Sequence, residues 1–180
     1  MAPNRRLVLP LLAALALAAL VVGVSACGYE SHEKEVVEGE PVEVGELSIN
    51  VTFSRFLNPD DNEDSAYLVG QPPPQPGYAY FGIFLEVQNE SDEEQTVPTM
   101  TVFDAAGESY SAYPSESLYA LQFGETVEPE EQLPVLDSTA QQGPIEGALL
   151  IFKLPDSVSD ERPLALHIEG EEEAEVELDL

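Results

Sequence analysis

The stretch YAYFGIFLEVQN, residues Tyr78–Asn89, decides the fold class of this chain. Its residues alternate with a period of two, which is the side-chain period of a β-strand. The odd-numbered positions from 81 to 87 are all apolar, whereas the even-numbered set changes from apolar at Tyr80 to charged at Glu86. A strand with apolar residues on both faces near its start is typical of the centre of a β-sandwich, so we predict a central strand here.

Similar alternation predicts further short strands on both sides of this stretch. Upstream, Leu47–Ser54 alternates strictly, and Val42 with Val44 indicates a short leading strand. The predicted downstream strands lie at residues 96–104, 108–113, 145–154, 164–168 and 176–180. Seven to nine short strands without a long helix predict an all-β protein with an antiparallel β-sandwich, and an up-and-down barrel is the second possibility.

Three segments between the predicted strands lack a clear period. Residues 58–77 contain PDDNEDS and QPPPQPG, and the prolines indicate a long loop with extended polyproline geometry. Residues 114–125 fit either one short helix closed by Gly124 or an irregular loop. Residues 129–144 are polar and predict an edge loop.

The first 26 residues differ in character from the rest of the chain. They contain Arg5 and Arg6, no acid, and an apolar run from Leu7 to Val24. This order is typical of a secretory signal peptide. An uncleaved transmembrane helix is the alternative, since the run is just long enough to cross a bilayer. Either interpretation places the remaining residues on the extracytoplasmic side.

The residues that follow the apolar run favour a cleaved signal peptide over an uncleaved transmembrane helix. Val-Ser-Ala-Cys at residues 24–27 resembles the lipobox of bacterial lipoproteins. The resemblance implies cleavage before Cys27 and a lipid on its sulfur, which would also explain an unpaired cysteine in an exported chain. We therefore predict a signal peptide over residues 1–26, an acidic tether over 27–40 and the β-sandwich over 41–180, anchored by Cys27 to the outer side of the cell membrane.

The chain is strongly acidic, with 35 Asp and Glu against six Lys and Arg and a formal net charge of −29. A charge of this sign repels phosphate, so nucleic acid is excluded as a partner. One Cys cannot form an internal disulfide, and one Cys with two His cannot build a Cys/His zinc site. We expect no cofactor.

The order of the segments resembles a family of bacterial exported domains with an immunoglobulin-like fold, most of unknown function, and it also resembles secreted mycobacterial immunoprotective antigens. In this pattern one strand ends in Asn before a polar turn, the next ends in Asp and Gly before Tyr, and a later strand ends in Phe-x-x-Pro. The matching segments are residues 42–53, 80–97, 101–110, 149–155 and 164–168. The resemblance implies an immunoglobulin-like sandwich and specifies no chemistry.

The sequence gives little support to an enzyme. His32 lies in the predicted tether, and His167 alternates with Leu166 and Ile168, which predicts a solvent-facing strand residue. The chain has no Gly-x-Ser-x-Gly motif, and neither Lys34 nor Lys153 has a serine at the spacing of a serine–lysine catalytic motif. A hydrolase that uses paired carboxylates is a distant alternative, because 35 acids offer many pairs.

Two other features are candidates for binding. Asp60, Asn62 and Asp64 fit the first three ligand positions of a calcium loop, although Ser65 stands where glycine is required. An aromatic group accompanies the ambiguous loop and fits either a binding surface or packing at the end of the sandwich; its members are Tyr110, Tyr113, Tyr119 and Phe123. The leading hypothesis is a membrane-tethered, non-enzymatic module that binds an envelope or extracellular protein, with a cation-binding domain as the alternative.

Overall fold

The computed structural model describes residues 34–160, 162–170 and 172–178. The predicted signal peptide, the lipid attachment residue Cys27 and His32 lie outside the described residues. Within them the chain forms twelve strands, one short α-helix and one short 3-10 helix. The predicted β-sandwich is confirmed, and two separate sheets replace the single closed barrel that was the second possibility.

Two sheets of five strands make the sandwich. Sheet 1 has the strand order β1-β12-β11-β6-β7, and sheet 2 has the order β10-β4-β3-β2, with β9 pairing with β4 beyond the end of β10. A small ribbon joins β5 and β8. The strands are β1 Lys34–Val37, β2 Val42–Val44, β3 Leu47–Leu57, β4 Tyr78–Asn89, β5 Gln95–Thr96, β6 Thr99–Phe103, β7 Ser109–Ser111, β8 Thr126–Val127, β9 Gln132–Leu133, β10 Ala148–Pro155, β11 Leu164–Glu169 and β12 Glu173–Leu178.

The central strand β4 supports two separate cores. Its odd-numbered residues from Phe81 to Val87 join the main core between the sheets, where they meet Met100 and Leu166 of sheet 1. Its even-numbered apolar residues face outward, and loops cover them to form a second core. This smaller core contains Leu57, Tyr67, Leu68, Tyr80, Phe84, Leu149 and Ile151. Tyr78–Asn89 therefore has apolar residues on both faces because each face packs against a core.

Part of the predicted tether belongs to the sandwich. Residues 34–37 form β1, which pairs in parallel with β12 along Val36 and Val176. Acidic composition suggested a solvated linker, but Val36 packs against the main core and Lys34 pairs with Glu172 at the edge of the sheet. The prediction of a tether over all of residues 27–40 is wrong for this segment, and the sandwich includes one parallel pair.

The predicted long loop over residues 58–77 contains a helix, α1, at Asn62–Tyr67. The Asp61 side chain caps it by accepting hydrogen bonds from the N–H groups of Glu63 and Asp64. The helix buries Tyr67 in the second core, where its ring meets Phe84 and Tyr119 edge to face. A helix of six residues is too short for a visible apolar period, so the sequence pattern missed it.

Several predicted strands are shorter or more divided in the structure. The segment at residues 96–104 splits into β5 and β6 on either side of Val97 and Pro98, and residues 114–125 form an irregular loop rather than a helix. The polar loop at residues 129–144 contributes the two-residue strand β9. Because of these short strands, the described residues contain twelve strands, whereas seven to nine were predicted.

Candidate functional site

The strand β10 has an edge that is only partly covered. Leu149 donates its N–H to the carbonyl of Tyr119 and accepts from Leu121, while the Ile151 carbonyl accepts from Tyr113. Because backbone groups alternate in direction along an antiparallel strand, the N–H and C=O of Lys153 face the same outer edge. No other backbone group of the described residues bonds to Lys153 on that side. At Lys153, the outer edge of β10 therefore has a backbone N–H and C=O that pair with no neighbouring strand of the described residues.

The side chain of Lys153 lies between two aromatic rings. Its Nζ is 5.6 Å from the ring centroid of Tyr78 and 5.5 Å from that of Tyr113. Both tyrosines are about two-fifths exposed, at 43% and 42%. Such cation–π contacts contribute roughly 0.5–1 kcal/mol each at exposed sites, so they restrain the lysine side chain while its ammonium keeps N–H donors for a further partner. We call these three residues the tyrosine–lysine corner.

The fold explains why this group lies at the rim of a covered surface. Lys153 follows Leu149 and Ile151 on the outer face of sheet 2, and these two residues belong to the second core. The cover provided by the loops ends before Lys153, so its side chain reaches solvent. On the neighbouring strand β4, Tyr80 pairs with Lys153, and Tyr78 lies one step diagonally along the same face.

A depression of about 390 Å³ adjoins the corner. It is lined by Lys153 of β10 and by the run of residues 109–114, which starts in β7 at the edge of sheet 1. The depression therefore lies where the edge of β7 in sheet 1 approaches β10 of sheet 2. Its volume falls within the range of about 300–1,000 Å³ that is common for ligand sites.

The proline-rich segment supports the corner from one side. The Tyr80 hydroxyl donates to the Pro72 carbonyl at 2.8 Å, and the Gln71 amide donates to the Pro114 carbonyl at 2.6 Å. Burial raises the pKa of Tyr80, and the nearby Tyr113 raises it further, so the hydroxyl stays a neutral donor at ordinary pH. These contacts hold the chain on both sides of the corner in fixed positions.

The aromatic residues singled out in the sequence divide between packing and exposure. The Tyr110 hydroxyl donates to Asp104 at 2.7 Å, and Tyr119 packs against Tyr67. Tyr113 faces the depression, and Phe123 is partly exposed. The sequence pattern does not connect Tyr113 with Lys153, but it contains one signal: Lys153 is the only Lys or Arg between Arg55 and Arg162 and interrupts an apolar run.

The predicted calcium loop has a different role in the structure. Asp64 is buried, and its carboxylate accepts from the Arg55 guanidinium and from the Asn58 N–H at 2.7 Å. Asp60 and Asn62 are exposed. Across the described ranges, no group of three or more His, Cys, Asp or Glu side chains has an arrangement that could hold a metal ion.

His167 is a half-exposed residue on the outer face of sheet 1, which confirms its predicted orientation. Its Nε2 is 2.8 Å from the Glu175 carboxylate on the paired strand β12, and its ring lies 4.3 Å from that of Phe103 on β6. The contact between His167 and Glu175 is a cross-strand pair of the antiparallel strands β11 and β12.

A second exposed patch lies at the opposite end of sheet 2 from the corner. Val135 and Leu136 are 52% and 63% exposed and border a depression of about 300 Å³ beside Gln88 and residues 130–132. No charged residue of positive sign lies between residues 125 and 147. The residues that line this depression include no cation and no aromatic ring, whereas the tyrosine–lysine corner combines both.

Within the described residues, no helix is long and apolar enough to cross a membrane. Comparison with family models gave no match, and comparison with curated proteins gave none either. The fold is nevertheless shared with solved bacterial structures.

Three of these solved structures illustrate the likeness. An uncharacterized β-sandwich protein from Clostridium difficile has a TM-score of 0.51 at 19% identity, covering 83% of this chain and 97% of its own. A secreted protein of Mycobacterium tuberculosis, MPT63, has a TM-score of 0.52 at 11% identity, covering 83% and 99%. A conserved hypothetical protein from Bacillus anthracis has a TM-score of 0.50 at 9% identity, covering 78% and 94%. At these identities the likeness shows the β-sandwich fold alone.

Proposed function

We propose that this chain is a non-enzymatic, extracytoplasmic binding module that contacts a protein of the cell envelope through the tyrosine–lysine corner. The observation that carries the proposal is the placement of Lys153 between the exposed rings of Tyr78 and Tyr113 at the open end of β10. Tyrosine supplies a large contact area at a low cost in conformational entropy, so exposed tyrosines on a fixed frame suit recognition.

Export and lipid anchoring are part of this proposal. The basic start, the apolar run and Cys27 in its Val-Ser-Ala-Cys context support a lipoprotein signal peptide. The neighbour from Mycobacterium tuberculosis is itself described as a secreted protein, which agrees with an exported fold. Two or more acyl chains on Cys27 would hold the module stably at the membrane.

Replacement of the cysteine tests the anchor. In cells that express the full chain, Cys27→Ala is expected to abolish labelling by a clickable fatty acid and to move the protein from the membrane fraction to the soluble fraction. Cys27→Ser provides a matched variant that keeps a hydroxyl in place of the thiol. Membrane retention with no lipid label in the native chain would instead support an uncleaved transmembrane helix.

Site-specific crosslinking tests the binding role. A photo-crosslinking amino acid at Tyr113 in intact cells is expected to capture a defined envelope protein, identified by mass spectrometry. Phe53 is the matched control, because it is an aromatic residue of equal exposure, 42%, on β3 outside the depression. The same adduct at both positions, or an adduct at neither, would contradict a binding role for the corner.

A further inference from the structure

We propose that the ligand of the tyrosine–lysine corner is an extended peptide segment with a single carboxylate side chain, which Lys153 binds while the peptide backbone pairs with the open end of β10. This inference rests on the proposed function and names the class of partner. Three features of the described residues support it: a strand edge without a partner, an ammonium without a carboxylate, and an acidic surround.

The unpaired backbone edge of β10 at Lys153 favours an extended peptide as the ligand. The loop at residues 113–121 pairs with β10 only as far as Ile151, and the edge at Lys153 then opens onto the depression beside β7. A peptide in an extended conformation satisfies such an edge by adding a short strand, and its alternate side chains then point to the same face as Lys153. A compact small molecule would leave these backbone groups without partners.

The ammonium group of Lys153 favours a carboxylate on the ligand. Lys34 pairs with Glu172 and Arg55 pairs with Asp64, whereas no carboxylate of the described chain lies within ion-pair distance of Lys153. This is unusual in a chain with 35 acids. The rings of Tyr78 and Tyr113 restrain the side chain at 5.6 and 5.5 Å from Nζ, and an ammonium has three N–H donors, so it can also donate to an incoming carboxylate.

The acidic surround restricts the number of charges on the ligand. Glu108 precedes the run of residues that lines the depression, and Asp156 directly follows Pro155 at the end of β10. Both carboxylates, together with the net charge of −29, repel additional anions. A peptide with one acidic residue among neutral or apolar ones fits the corner, whereas a polyacidic segment does not.

A displayed library of random nine-residue peptides tests the inference, with the full-length chain purified in detergent as the bait. The native chain is expected to enrich peptides that share one Asp or Glu at a fixed position among neutral residues. A synthetic peptide with the enriched sequence should lose about tenfold or more in affinity when that Glu becomes Gln. Lys153→Met should weaken binding to the same extent, and the two changes together should cost little more than either alone.

Charge reversal and a distant lysine provide the controls. Lys153→Glu is expected to switch the enrichment from acidic to basic peptides, whereas Lys34→Met, at the far edge of sheet 1, should leave the affinity unchanged. Circular dichroism melting curves check that every variant is folded. Enrichment without an acidic position, or equal binding by Lys153→Met, overturns the ligand class. Failure to enrich any peptide while Tyr113 still crosslinks in cells also overturns it but leaves the binding role standing, whereas loss of both overturns the proposed function.

Discussion

Asp64 of α1 holds Arg55 of β3 through two hydrogen bonds from the guanidinium to the two carboxylate oxygens. The Asp64 side chain is only 3% exposed, and it also accepts the Asn58 N–H at 2.7 Å. The hydrogen bond to Asp64 raises the pKa of Arg55 and outweighs the opposing effect of burial. The pair therefore fixes the short helix on the outer face of sheet 2, where Tyr67 closes the second core.

Replacement of the carboxylate at this pair is expected to destabilise the domain. Asp64→Asn keeps the volume of the side chain but removes its charge, so the free energy of unfolding should fall by about 2–3 kcal/mol, as for a charged hydrogen-bonded group with a buried partner. Urea denaturation followed by circular dichroism measures the change. Asp60→Asn is the matched control, because Asp60 is exposed and its replacement should alter the free energy by less than about 0.5 kcal/mol. Equal effects would show that the pair does not stabilise the helix.

The same pair predicts that calcium does not stabilise the protein. A calcium ion at Asp60, Asn62 and Asp64 would need the carboxylate that Arg55 already occupies. The melting temperature in millimolar calcium should therefore equal that in magnesium at the same ionic strength. The ionic strength must be matched, because any salt screens the repulsion within a chain of charge −29. A saturable rise with calcium alone, lost in Asp60→Asn, would restore the cation-binding alternative.

Asp104 predicts a specific contribution to the acid sensitivity of the fold. Burial raises the pKa of Asp104, but hydrogen bonds to its carboxylate from the Tyr110 hydroxyl and from the N–H groups of Glu108 and Ala106 outweigh burial, so the pKa lies below its ordinary value of 3.8. A group with a depressed folded pKa stabilises the protein above the pKa of the unfolded chain and loses that effect as the pH falls through its folded pKa. In Asp104→Asn, the free energy of unfolding should therefore fall less steeply than in the native chain below about pH 4.

Tyr110→Phe gives an intermediate case for the same measurement. It removes the hydroxyl that donates to Asp104 at 2.7 Å but leaves the N–H donors of Ala106 and Glu108 at 2.9 and 3.0 Å. Its stability profile between about pH 5 and pH 2 should lie between those of the native chain and Asp104→Asn. Three parallel profiles would show that the hydrogen bonds to Asp104 do not set the acid sensitivity.

The sequence predicted the strands that have a long regular period. The prediction for Tyr78–Asn89 matches β4 residue for residue, because its odd-numbered face is apolar from Phe81 to Val87 and its even-numbered face is apolar only where the second core covers it. The turn residues of the family pattern also have clear physical roles. Asn89 is fully buried and donates to the carbonyls of Glu93, Val127 and Glu128, which closes the polar turn after β4.

The features that the sequence did not reveal depend on contacts between distant segments. The strand β1 has no apolar period of its own, because only Val36 packs against the core and the pairing with β12 determines its conformation. The tyrosine–lysine corner combines side chains from β4, β10 and the segment after β7, which lie far apart in the sequence. Composition marked Lys153 as an isolated cation, but only the register of β10 on β4 places it beside Tyr78.

Gly147, the residue before β10, combines an unfavourable backbone conformation with a close contact, and comparison with Gly124 distinguishes the costs of the two. Its φ of 124° disfavours any side chain, and an added Cβ would lie 2.8 Å from the Leu85 nitrogen and 3.1 Å from the Phe84 carbonyl carbon. Gly124 has a similarly unfavourable φ of 78°, but an added Cβ there meets nothing within 4 Å. Gly124→Ala should therefore cost only about 1 kcal/mol, whereas Gly147→Ala should cost about 3 kcal/mol or more, because β10 must move away from β4.

Urea denaturation of the two glycine variants measures this difference, and peptide binding shows its consequence for the corner. A displaced β10 would shift Lys153 relative to Tyr78, so Gly147→Ala should weaken the binding of an enriched peptide even under conditions where the domain stays folded. Gly124→Ala should leave that binding unchanged, since residue 124 lies in a loop outside the depression. Equal stability losses in the two variants would mean that β10 and β4 tolerate the extra carbon, and the proposed dependence of the corner on their register would then be wrong.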